Sequence, residues 1–144
     1  MDLKALEQAV EVSPDNVPLL LLLAQAYLDT FALEEARESF SRAMSLEPEN
    51  PVALVGIATL LDLAGKTSEA VLRVEQVCAD SPGHAPAWIL RAKLALAEDC
   101  ATKAREHYAR ALQVDPSAAD EVLLKRIDEA AQGGTGGGEG GKGT

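Results

Sequence analysis

His84, His107, Cys78 and Cys100 are the side chains of this chain best suited to hold a metal or to act as nucleophile and base; it has two histidines and two cysteines. A structural zinc site draws on closely spaced pairs of such ligands. No Cys/His pair here has that spacing, so no metal is expected. Nucleophilic catalysis needs a nucleophile, a base and a group that orients the base, and no such set can be named. Glu34–Glu35 and Asp128–Glu129 are adjacent carboxylates. Side by side on helices, they read as solvated surface charge. The expectation is a chain with no catalytic residues and no cofactor.

The run GGTGGGEGGKGT at 133–144 has the glycines and lysine of a phosphate-binding loop. However, Lys142 is followed by Gly143 rather than serine or threonine, and no strand leads in, so that reading is rejected. With nothing to bury and maximal backbone freedom, the run is expected to be a disordered tail or linker. It would lead either to a further domain or to an added expression tail.

Charge narrows the partners. The formal net charge is −10 and the pI about 4.6. Nucleic-acid binders need clustered lysine and arginine, and an acidic surface is repelled by anionic membranes, so neither partner is expected. The charge itself serves solubility, or a preference for basic partners. PLLLLLAQAYL (18–28) is too short to span a bilayer, and it lacks the basic flank of a signal peptide. Two cysteines make no disulfide framework, which points to a reducing, cytoplasmic setting.

The elements that carry these residues follow from a repeat. Pro14, Pro48, Pro82 and Pro116 recur every 34 residues, in EVSPDN, SLEPEN, ADSPGH and QVDPSA. Around Pro48, the chain stops one helix and starts another, with Asn50 as cap and Pro51 in the first turn. Hydrophobic residues make up 47% of the chain and aromatics 3%, so the core must be leucine, alanine and valine. Alanine and leucine favour helix, and alternating β-branched runs are missing. Aligned on the prolines, Leu20, Leu54 and Trp88 share a register, as do Leu23, Ile57 and Arg91, and Ala24, Ala58 and Ala92. Ala36, Ala70 and Ala104 match, then Phe40, Val74 and Tyr108, then Ala43, Val77 and Ala111. Offsets of three and four put each set on one helix face. Helix pairs are therefore expected at 17–30 with 33–46, 51–64 with 67–80, and 85–97 with 101–114. Gly65 suits the left-handed turn inside the second pair. Phe31 and Asp99 stand at its equivalents, so those turns are expected to close differently. In this frame His84 caps a helix in an inter-repeat turn and His107 lies mid-helix, facing outward. Cys78 shares a packing position with Met44 and Leu112, and Cys100 falls in a turn.

This pattern resembles the tetratricopeptide repeat (TPR) family, W-x2-L-G-x2-Y then A-x3-F, A and P. Trp88, Leu90, Ala92, Ala104, Tyr108, Ala111 and Pro116 carry it in one unit. Leu20, Leu23, Ala24, Tyr27, Ala36, Phe40, Ala43 and Pro48 carry it in another. Arg91 departs, standing where the family has leucine, and must reach water or a carboxylate. The resemblance implies an all-α fold, a right-handed superhelical α-solenoid of antiparallel helix pairs. It would be one domain over 1–132, with a half-repeat helix at 1–14, full repeats at 17–50, 51–84 and 85–118, and a capping helix at 119–132. Lys125, Arg126 and Glu129 would make the outer side of that cap polar. At the other end Leu3, Leu6 and Val10 would offer an uncovered apolar face for assembly with another copy or with an upstream helix.

The resemblance further implies that the first helix of each repeat lines a concave groove for a peptide or helix of a partner protein. By register, its residues would be Leu21, Gln25, Leu28, Val52, Val55, Thr59, Asp62, Ile89, Lys93, Leu96, Leu123 and Ile127. Leu21, Val55, Ile89 and Leu123 would form an apolar row, open to a guest or packed against neighbouring helices. The basic and amide residues with which chaperone-binding members clamp acidic tails would fall at Leu21, Gln25 and Gly56, with a basic pair at Pro86 and Leu90. None matches, so acidic chaperone tails are not expected. The implied function is a protein–protein interaction scaffold for an apolar, neutral-to-basic segment. The alternative is a recruitment or self-assembly domain of a larger enzyme, such as an ATPase, joined through the glycine-rich linker.

Overall fold

A computed structural model describes the backbone of residues 2–142 and the side chains up to 133; among these residues there are eight α-helices and no strand. They are α1 (Leu3–Val12), α2 (Val17–Asp29), α3 (Leu33–Leu46), α4 (Pro51–Leu63), α5 (Thr67–Asp80), α6 (Ala85–Ala97), α7 (Ala101–Val114) and α8 (Glu121–Lys142), with a 3-10 turn at Pro116–Ala118. No described helix is long and apolar enough to cross a membrane.

Local chemistry sets the starts. Asp2, Asn16 and Asn50 cap α1, α2 and α4, accepting from Ala5 N (3.1 Å), Leu19 N (3.1 Å) and Val52 N (2.9 Å). Pro18, Pro51 and Pro86 sit in first turns, where a missing N–H costs nothing. His84 holds the equivalent cap position of α6, but its imidazole makes no capping bond.

The intra-pair turns close alike, against expectation. Phe31, Gly65 and Asp99 have φ of 59°, 81° and 59°. In each turn the next residue donates back five positions: Ala32 N to Tyr27 O (2.9 Å), Lys66 N to Leu61 O (2.9 Å) and Cys100 N to Ala95 O (2.8 Å). Each is a Schellman closure. Phe31 and Asp99 adopt the left-handed geometry because these bonds, together with the packing of the flanking helices, outweigh a penalty of about 1–2 kcal/mol.

The chain divides into two compact units, 1–73 and 74–144, with the boundary inside α5. In the first unit α2 and α3, joined by a short turn, pack as an antiparallel pair. Ala24, Ala36, Phe40 and Leu60 form one buried cluster; Val17, Leu20, Ala43 and Ala53 form another. Alanine at the crossings lets the backbones approach, and leucine and phenylalanine fill the remaining space. Arg42 ties α3 to the loop after α1: its Nε donates to Pro14 O (3.0 Å) and its Nη2 to Asp15 Oδ1 (2.7 Å).

The assembly face expected on α1 is largely covered. Leu6 is buried, and Val10 packs against Val17, Leu20, Ala43 and Ala53. Leu3 is half-buried, and the outward side carries Lys4, Glu7, Gln8 and Glu11. One neighbouring pair suffices because leucine and valine at 6 and 10 stand on one narrow stripe that α2 reaches. The Tyr27 hydroxyl on α2 donates to Glu7 Oε2, and this bond, with burial adding to it, pushes the phenol up to about 12.

In the second unit α6 and α7 pair, and Ala92, Ala95, Ala104, Tyr108, Leu123 and Ile127 form the buried cluster. The Tyr108 hydroxyl accepts from Asp120 N (2.9 Å) and donates to Asp120 O (3.3 Å), pinning the start of α8. That start is late. Helices opening at 17, 51 and 85 predict 119, whereas the 3-10 turn intervenes and Asp120 caps α8 by accepting from Leu123 N (3.0 Å).

Lys125, Arg126 and Glu129 are exposed, as a polar cap requires. α8 continues to Lys142, so the stretch from 133, expected as a disordered linker, keeps helical geometry there. Residues 143 and 144 lie outside the described residues.

Candidate functional site

In the first unit, the residues expected to meet a partner lie on α2 and α4. Val52 is 40% exposed, and Leu63 at the other end of α4 is 47% exposed. Gln25 is exposed and its Nε2 donates to Asp29 Oδ1 (2.9 Å). Leu21, Leu28, Val55, Thr59 and Asp62 are half-buried. Leu21 packs against both buried clusters and Leu28 against the one built on Phe40. The Thr59 hydroxyl donates to Val55 O (2.8 Å), so it is occupied by its own helix. Neither α2 nor α4 carries a lysine, arginine or histidine; their charges are Asp29 and Asp62. The surface is apolar with two carboxylates and no cation.

In the second unit Lys93 is exposed, and Ile89 and Leu96 are half-buried against the cluster around Ala92 and Tyr108. Leu123 and Ile127 are 1% and 0% exposed. They belong to the core and cannot meet a partner. They pack there with Ala92, Ala95, Ala104 and Tyr108. Of the clamp positions, Gly56 and Leu90 are buried.

The groups with most potential for chemistry are quiet. Cys78 is buried, as its packing register requires, and burial pushes its thiol up. Cys100 is half-buried. Burial lowers the His84 imidazole, whose Nε2 is enclosed without a hydrogen-bond partner among the described residues. No three metal-ligating side chains converge among the described residues.

His107 does not face outward as expected. It stacks against Trp88, with ring centroids 6.0 Å apart and planes 34° apart. Arg91 and Arg110 also lie on the indole, at 5.5 and 5.3 Å from its centroid. Arg91 finds its carboxylate in Glu75 (3.3 Å). The Trp88 Nε1 donates to Pro82 O (3.0 Å). Burial first, then the Arg91 charge, lowers the His107 imidazole. Sequence reasoning missed this cluster, although the register held a signal: Arg110 repeats Arg42, while Gly83 replaces Asp15.

Comparison with known proteins bears on this architecture directly. Two family models described as tetratricopeptide repeat match residues 3–51 and 31–94. Human Superkiller complex protein 3 is 26% identical over 115 residues, covering 75% of this chain; the match spans 7% of that protein's length. A thermophilic TPR protein of Thermus thermophilus superposes with a TM-score of 0.73 at 20% identity, covering 90% of this chain and 71% of that one. The first TPR of Spaghetti (RPAP3), solved bound to the HSP90 peptide SRMEEVD, gives 0.67 at 19% identity, covering 81% and 91%. The helix pairs, the alanine crossings and the two matching models agree: the chain belongs to the tetratricopeptide repeat family.

Proposed function

We propose that the protein is a non-catalytic interaction scaffold whose α2–α4 surface takes an apolar, neutral-to-basic segment of a partner protein. The observation that carries this reading is the make-up of that surface. Val52 and Leu63 stand open at the two ends of α4, the charges of α2 and α4 are Asp29 and Asp62, and no cation is present on either helix. Buried apolar anchors supply affinity for a helix or strand, and the carboxylates favour lysine or arginine on the guest. The HSP90-peptide complex of RPAP3 supports peptide capture as a use of this fold. The acidic residues of such a peptide would meet Leu21 and Gln25 here, which offer no charge.

The test uses a synthetic amphipathic peptide with leucine at helical spacing and lysine elsewhere, against a serine/lysine peptide of equal charge. The leucine peptide is expected to bind, and Val52→Asp with Leu63→Asp to abolish binding while the thermal melt holds. Equal binding of the serine peptide, or undiminished binding by the double variant, would overturn the reading. Leu21→Asp is a poor probe, because Leu21 supports two core clusters. Self-association through α1 is the second reading. It rests on Val12, 83% exposed on an otherwise polar outward side, and a concentration-independent monomer in light scattering would remove it.

A further inference from the structure

Arg42 and Arg110 occupy the same repeat position, yet they are held differently. Arg42 bonds the loop carbonyl of Pro14 (3.0 Å) and the carboxylate of Asp15 (2.7 Å). The residues at the matching positions for Arg110 are Pro82 and Gly83. Pro82 O is taken by the Trp88 indole (3.0 Å), and Gly83 has no carboxylate to offer. Arg110 lies instead over the Trp88 ring at 5.3 Å, exposed, with no carboxylate paired to it among the described residues. Its guanidinium therefore lies on the ring and makes no hydrogen bond among the described residues, in a chain with 23 acidic residues against 13 lysines and arginines.

Lys103 and His107 stand seven and three residues before Arg110 on α7, and Glu106 four before it, all on one helix face with it. The carboxylates acting on His107 are Glu75, already paired with Arg91, and Glu106 beside it. Tryptophan and arginine held together in this way are the residue types that dominate protein interfaces.

We propose that Arg110, stacked on Trp88 and flanked by Lys103 and His107, is a docking point for a glutamate- or aspartate-bearing segment of a partner protein. The guest carboxylate takes the place that Asp15 fills beside Arg42. Guanidinium and carboxylate pair with two parallel hydrogen bonds, and the ring removes the conformational freedom the arginine would otherwise lose on binding. The surface lies on the face of α6 and α7 around Trp88, chemically opposite to the cation-free α2–α4 surface, and does not depend on the function proposed for the latter.

The structure also supplies its own competitor. A Cβ added at Gly83 would meet no heavy atom within 4 Å. Gly83→Asp therefore restores within the chain the carboxylate that Arg42 enjoys, and should close the site without disturbing the fold.

The experiment titrates a fluorescein-labelled decapeptide of alternating glutamate and serine, read by anisotropy, with emission of Trp88, the sole tryptophan, as the local report. Saturable binding with a change in Trp88 emission is expected. Arg110→Gln and Gly83→Asp should each weaken it by about tenfold or more with unchanged circular dichroism, while Val52→Asp with Leu63→Asp leaves it intact. Absence of saturation up to about 1 mM peptide, or Gly83→Asp binding as tightly as the native chain, would overturn the proposal. Inorganic phosphate binding at Trp88 without peptide binding would overturn it too, since the site would then serve a phosphate rather than a carboxylate.

Discussion

The Phe40 ring lies flat against the backbone of Gly56, where an added Cβ would stand 2.4 Å from Cε1 and 2.5 Å from Cζ. Phe40 is 1% exposed, so the ring has nowhere to retreat. Glycine inside a helix costs about 1 kcal/mol relative to alanine; here the closer approach of α3 and α4 outweighs it. Gly56→Ala is therefore expected to lower stability by roughly 1–3 kcal/mol despite the better helix propensity. Phe40→Leu in the same chain should recover part of the loss. Urea denaturation of the two single variants and the double variant checks this. Additive losses would show that the ring is not the obstacle.

Phe31 keeps φ at 59° while 74% exposed, so little burial offsets the left-handed backbone. Phe31→Gly is expected to raise stability by about 1 kcal/mol, because the turn bonds of Phe31 N and Ala32 N survive the change. Asp99→Gly should act in the same direction at the equivalent turn. Thermal melts read both, and a fall in melting temperature would mean that the Phe31 side chain contributes more packing than its exposure suggests.

Tyr27 should ionise late. Its phenol is pushed up to about 12 by the hydrogen bond to Glu7, with burial second, against about 10 in an unfolded chain. A folded-state pKa above the unfolded one means stabilisation that is whole below about pH 10 and lost as pH rises toward 12. Absorbance in the near ultraviolet, where the phenolate absorbs, follows the transition. Glu7→Gln should bring it down toward about 10 and, by loosening α1 from α2, cost about 1 kcal/mol.

Acid should destabilise the second unit through its histidines. Burial lowers His84 and burial together with Arg91 lowers His107, both below the 6.5 of an exposed imidazole. Their contribution is thus complete above about pH 6.5 and lost as pH falls through the lowered values. His107 is faced by Glu75 from α5, Arg91 and Trp88 from α6, and Lys103, Glu106 and Arg110 from α7. His107→Gln should flatten the decline in melting temperature between about pH 7 and 5 relative to the native chain. An unaltered slope would show that imidazole protonation is not felt there.

Much of the architecture was legible from residue order. Expected helices at 33–46, 67–80, 85–97 and 101–114 match the observed ones, and 17–30 and 51–64 run one residue past theirs. Proline in a first turn, asparagine just before it and alanine at crossing positions act through the backbone of their own segment, so their effects appear wherever those residues stand. Arg91 was equally legible as a charge in need of a partner, though not that Glu75 and the Trp88 face would share it.

By itself the sequence determined the 34-residue period, the helices and their pairing, because turn and capping chemistry is local and the apolar phase of a helix is written along it. Tertiary structure decided which residues of that phase remain open. On α8, Leu123 and Ile127 enter the core with Ala92, Ala95, Ala104 and Tyr108. Schellman bonds draw Phe31 and Asp99 into a geometry their side chains disfavour. Arg110 lies over the Trp88 ring, whose N–H bonds the Pro82 carbonyl. Each outcome depends on distances between segments far apart in the chain, and periodicity, which counts residues along one helix, carries no measure of those distances.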